Sequence, residues 1–395
     1  MKRKLATVTA VFTLVALLAA SGVPAIAAHG SKSASDLRAA WNALLAEHVY
    51  LAAAATNAAL GGRQAEFEAA ANALDANSKD IAVSLGAVYG KPAEDAFLPL
   101  WRKHIGFVVD YTTGLAAKDK AKQDKAVADL VAYTQDFGAF LSSANPNLPK
   151  DVVADLVKHH VLTLKAVIDP QAAGNQLLAF TALRAAGGHM QMIGDPLTAA
   201  MAKQFPDRYP GNPAAASAGL RTALNLALRE HVYLAAAATN AALGGRKEEF
   251  EAAAAALDGN SVDVAAAIGT VYGSEAGKAF LPLWRKHIGF VVDYTVGAAS
   301  KDRAKQDKAV ADLVAYTEDF GAFLSSANPN LPKDVVADLV KHHVLTLKDV
   351  IDPQAAGDQA TGYAALRGAA NHMGKIADPL AAAISKQYPD RFASN

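Results

Sequence analysis

The peptide EHVYLAAAATNAALGGR stands at residues 47–63 and again at 230–246. AFLPLWRKHIGFVVDYT recurs at 96–112 and 279–295, and DFGAFLSSANPNLPKDVVADLVKHHVLTLK at 136–165 and 319–348. The displacement is 183 residues each time, with no insertion. Such self-similarity confines the chain to two copies of one unit. The copies run over 36–208 and 219–391. Between them lies a linker, 209–218, marked by Tyr209-Pro210-Gly211-Asn212-Pro213.

A weaker repeat of 56 residues runs inside each copy. His48, His104 and His160 fall in register, with Leu44, Leu100 and Leu156 before them and Val49, Ile105 and Val161 after them. Asp80 matches Asp136, and Asn77 matches Tyr133 and His189. Each block reads as a helical hairpin, so each copy should hold six helices. The turns are expected at Gly61-Gly62, at Gly90-Lys91-Pro92, over Lys118 to Lys125, at Asn145 to Pro149 and at Asp169-Pro170. Alanine dominates and apolar residues do not alternate with polar ones. The fold class is therefore all-α, two tandem six-helix units, each of three antiparallel hairpins packed as a bundle.

The histidines fall within the apolar stripes. Trp41, Leu44, Leu45, His48 and Ala52 share one helical face, as do Phe97, Leu100, Trp101, His104 and Val108, and Val153, Leu156, Val157, His160 and Leu164. His159 lies about 100° round the helix, in register with Glu47 and Lys103, and reads as a surface residue. Counting rise per residue from the turns puts the polar members at a common depth. The expected belt is His48, Asn77, Asp80, His104, Tyr133, Asp136, His160 and His189, repeated as His231, Asn260, Asp263, His287, Tyr316, Asp319, His343 and His372.

Three uses of such a belt stay open. His–Asp hydrogen bonds would make it an internal structural network, which buried polar groups require. Imidazoles and carboxylates would make it a transition-metal site, with copper or zinc the expected ions and His48, His104, His160, His189, Asp80 and Asp136 as ligands or their orienters. In the second copy the same roles fall to His231, His287, His343, His372, Asp263 and Asp319. A pocket for an organic ligand or haem is the third. His189-Met190-Gln191-Met192 pairs imidazole with soft thioethers, which favours Cu(I), although the second copy keeps only one methionine in His372-Met373-Gly374-Lys375. Methionines on an apolar helix also serve simply as packing.

Several classes are excluded. The chain has no cysteine, which removes disulfides, thiolate metal sites and lipid attachment at cysteine. Lys and Arg balance Asp and Glu and are interspersed, so no basic footprint for nucleic acid exists. HExxH, GxSxG, Gly-rich phosphate loops and the paired Glu-x-x-His motifs of di-iron bundles are missing. No catalytic motif is complete; an enzyme with metal-dependent chemistry stays open but has no dedicated sequence support. Lys2, Arg3 and Lys4, the apolar run from Leu5 to about Ala20, then Pro24 and Ala25-Ile26-Ala27, read as a signal peptide over 1–28. The expected location is outside the cell or at its envelope, with no transmembrane anchor in the mature chain and an envelope or extracellular partner.

EHVYLA, LDANSKDIAVSLGAVYG, LPLWRKHIGFVVDYT, DFGAFLSSANPNLP, KHHVLTL and HMQM resemble segments of a family of uncharacterised secreted or lipoprotein-type bacterial proteins. The resemblance covers nearly all of each copy. It implies a helical, envelope-exposed domain and brings no activity with it. The chain departs from the lipoprotein-type relatives in lacking the anchoring cysteine, so free secretion or loose wall association is expected. The two functional readings are thus a secreted metal-binding bundle and a structural or adhesive envelope module.

Overall fold

The computed structural model describes residues 32–394, so the expected signal peptide lies outside the described residues. The first copy folds as α1 (Ala34–Leu60), α2 (Gln64–Tyr89), α3 (Lys91–Ala117), α4 (Lys120–Ala144), α5 (Lys150–Ala172) and α6 (Gln176–Gln204). The second repeats this as α7 (Ala216–Leu243), α8 (Lys247–Tyr272), α9 (Ser274–Ser300), α10 (Arg303–Ala327), α11 (Lys333–Ala356) and α12 (Gln359–Gln387). No strand occurs among the described residues.

The turns follow local chemistry. Gly62 and Gly90 take positive φ, which a side chain would resist. Asp119 caps α4 by accepting from the Lys122 N–H, and Asn175 caps α6 by accepting from Leu178. One expected break is displaced. Pro170 sits inside the last turn of α5, and the chain turns at Ala173, Gly174 and Asn175. A proline there forfeits only one helical hydrogen bond near an end that frays anyway.

Consecutive helices pack side by side, and α6 closes back on α1. The first helices of the three hairpins, α1, α3 and α5, also touch one another, so they form an inner triangle. The 56-residue repeat is thereby wrapped about the middle of the bundle. Among the described residues, α1 is long and apolar enough to cross a membrane, but 83% of its apolar window is buried by neighbouring helices. A helix apolar all round is what a central core position demands.

The two copies meet along α1 and α7, flanked by α6 on α8 and α12 on α2. This pairing is the same when the copies are exchanged, as about a pseudo-twofold axis. Tyr50 and Tyr233 stack with ring centroids 4.9 Å apart and planes 6° from parallel. Asn57 donates to Glu249 and Asn240 to Glu66, each over 3.0 Å. Arg367 of α12 reaches into the first copy to bind Glu47 and Asp80, and Arg184 of α6 reaches into the second to bind Glu230 and Asp263.

Candidate metal centre

Each helix of the inner triangle delivers one imidazole to the bundle's centre. The apolar stripes turn α1, α3 and α5 so that His48, His104 and His160 face inward, and all three are at least 95% buried. One ligand atom from each lies within 4.8 Å of the others, and the same holds for His231, His287 and His343. His48 and His104 stand Nε2 to Nε2 at 3.3 Å, and His231 and His287 at 3.2 Å. Ring centroids are 5.3, 5.8 and 6.5 Å apart in the first triad and 5.2, 5.9 and 6.5 Å in the second.

These rings are poorly satisfied by protein. Neither nitrogen of His160 or His343 has a hydrogen-bond partner, nor has Nδ1 of His48, His104, His231 or His287. The Trp101 carbonyl lies near His104 and raises its pKa slightly, but no contact there meets hydrogen-bond geometry. Each unpaired buried polar atom costs about 1–3 kcal/mol. The same atoms are unpaired in both copies.

Burial keeps the imidazoles neutral. It pushes His104 and His287 down to about 3 and His160 and His343 to about 4, with neighbouring rings adding to the effect. His48 and His231 fall well below the ordinary range, through burial first and then through the two companion rings. A neutral imidazole has a free lone pair, the form that binds metal. Metal–nitrogen bonds near 2.0–2.1 Å separate ligand atoms by about 3.3–3.6 Å. The His48–His104 spacing already meets this, and a nitrogen of His160 lies within 4.8 Å of both.

The other expected ligands stand elsewhere. Asp80 and Asp263 face the other copy, where Arg367 and Arg184 hold them. Asp136 and Asp319 are exposed and pair with Lys103 and Lys286. Both lie beside the inward stripe of their helix, Tyr133 with Phe137 and Tyr316 with Phe320, so their carboxylates clear the triads. His189 and His372 sit on α6 and α12, outside the inner triangle. Nε2 of His189 faces the Leu156 carbonyl at 3.5 Å, that of His372 the Leu339 carbonyl at 3.3 Å, and their rings lie against His159 and His342. The six-ligand belt therefore contracts to three histidines per copy. Met192 is 60% exposed, and Met190 is buried as packing.

Glu47 is the residue that sequence reasoning missed. Its register with His159 and Lys103 suggests a surface position, yet it is 2% exposed, binding Arg367 at 2.7 Å and accepting from Asn77 at 3.0 Å. A signal existed in the copied arginines Arg184 and Arg367, but it becomes readable only once the two copies face each other. Compared with known families, curated proteins and solved structures, the chain has no match.

Proposed function

We propose that this is an exported metal-binding protein with one three-histidine site in each copy, His48, His104 and His160 in the first and His231, His287 and His343 in the second. The observation that carries the reading is the convergence of three neutral, buried imidazoles, each with at least one nitrogen lacking a protein partner, found twice in one chain. Export rests on the basic start, apolar run and small-residue site at the N-terminus.

The donor set bears on the ion. Neither triad includes a carboxylate. An ion entering the apolar core brings a solvation cost that rises with the square of its charge. A monovalent ion suits three neutral donors better than a divalent one. Cu(I), which also accepts three-coordinate geometry, is the preferred occupant, and Zn(II) is the competitor that imidazole also suits.

The test is metal stoichiometry on the full chain, titrating Cu(I) anaerobically against a chromogenic competitor and Zn(II) in parallel. Two Cu(I) per chain are expected, falling to none in His104→Ala with His287→Ala. Uptake of Zn(II) in preference to Cu(I) would overturn the choice of ion. No uptake of either, or full uptake by the double variant, would overturn the site and leave the triads as part of a structural envelope module.

A further inference from the structure

Beside the first triad, on the side of His104 and His160, lies a cavity of about 110 Å³. We propose that it binds one small uncharged aromatic molecule of the phenol type, a ligand distinct from the metal ion and not dependent on it.

Three features define that ligand. The first is charge. No Asp, Glu, Lys or Arg lines the cavity, so a charged guest would enter an apolar space without a counter-charge. The second is shape. Trp41, Phe97, Trp101 and Phe137 supply aromatic faces and edges, which favour a flat ring in offset or edge-on contact. Apolar cavities of roughly 150 Å³ in other proteins stay dry and take benzene. At about 110 Å³ the space here is smaller, so it admits at most a single ring and excludes a fused pair.

The third feature is the demand for one polar group. Trp101 Nε1, the Tyr133 hydroxyl and both nitrogens of His160 have no hydrogen-bond partner. Their residues line this cavity and are 6%, 3% and 5% exposed. A benzene-like guest leaves these groups unpaired. These polar atoms are covered, so a phenol hydroxyl reaches them as the rings turn towards the guest, and it can then donate to an imidazole nitrogen and accept from an indole N–H or a tyrosine O–H. Few convergent polar groups in an otherwise apolar pocket is the usual form of a small-molecule site. The mouth lies between the α4–α5 turn, at Asn147 and Pro149, and α6 at Pro196, with Val152 54% exposed at its rim.

The experiment is calorimetric titration of the full-length, metal-stripped chain with phenol, alongside Val157→Phe and Leu197→Phe. These fill the cavity from different helices, so a folding failure in one leaves the other to report. Saturable binding weakened at least tenfold by a folded filling variant is expected. His48→Ala supplies the separation from the metal reading. His48 is a triad member but not a wall of the cavity. That variant should lose first-copy metal while keeping its phenol affinity. Absence of saturable binding, or binding that both filling variants leave unchanged, overturns the proposal. Failure of metal uptake alone does not touch it.

Discussion

The two copies agree at the triads and disagree at their shared boundary. The imidazole spacings match to within about 0.1 Å, with Nε2 pairs at 3.3 and 3.2 Å. At the boundary, Ala46 of the first copy corresponds to Arg229 in the second, Gly188 to Asn371, and Gln191 to Gly374. These three changes form a set. Arg229 is 3% exposed and donates to Asn371 at 2.9 Å, and Gly374 leaves the room that its guanidinium needs. Burial lowers the Arg229 pKa, while Tyr233 and, across the boundary, Glu47 oppose that. Glu47 thus sees a second guanidinium besides Arg367. Its counterpart Glu230 rests on Arg184, with a side chain 15% exposed against 3% for Glu47. The lesson is that the deeper carboxylate has the greater positive surround. The boundary has diverged while the triad histidines have not, and the helix leading to them differs as well, with Trp41 and Leu44 of the first copy standing where the second has Leu224 and Ala227.

The sharpest challenge to the agreement of the triads is selective removal. His104→Ala should halve metal content, taking it from the first copy only, and His287→Ala should do the same to the second. Loss of both ions in either single variant would show that the copies are not independent sites. Acid stability comes next. The triad imidazoles titrate below the ordinary value near 6.5, so below that pH the unfolded chain takes up protons that the folded chain refuses. The metal-free fold is therefore most stable above about pH 6.5 and loses stability as pH falls towards 4, by about 1.4 kcal/mol per unit for each imidazole. Urea titrations between those limits should show a shallower slope for His160→Phe and for His343→Phe, by the same amount if the copies are alike.

The disagreement at the boundary gives smaller effects. Arg367→Ala strips Glu47 of its direct partner and should cost about 3–5 kcal/mol in denaturant unfolding. Arg184→Ala should cost less, because water already reaches Glu230. Equal losses would refute the account of the deeper carboxylate. Arg229→Met should fall within about 1 kcal/mol of the parent, since Arg229 has no direct carboxylate partner and a well-packed apolar chain replaces a buried charge at little cost. A loss as large as that of Arg367→Ala would show instead that Arg229 is the principal support of Glu47.

Much of this was legible before any coordinate. The 183- and 56-residue repeats imply six helices per copy, and the stripes through Leu44, Leu100 and Leu156 turn His48, His104 and His160 inward together. What was not legible has one physical source. A helical wheel separates apolar from polar faces, but it does not say whether a polar face meets water or a second protein surface. Glu47 reads as a surface charge and Asp80 as a member of the internal belt, yet both bridge the copies through Arg367. Asp136 reads as level with His160, which depth alone suggests, but it sits one residue before Phe137, about 100° round the helix from that inward position. His189 reads as a belt member because it shares the 56-residue register of Asn77 and Tyr133. It lies on α6, and only the inner-triangle packing of α1, α3 and α5 tells its position from theirs.

The ion pair between Glu47 and Arg367 spans 320 positions of chain. A polypeptide made from its N-terminus produces the acid long before the base, so its first half waits almost to the end of translation for this partner. A half-length polypeptide ending at residue 208 would never receive it. It would, however, still contain Arg184, which occupies the place of Arg367 in its own copy. Two such half-length molecules could therefore complete each other, and self-pairing into a homodimer is the expected fate of the separated halves.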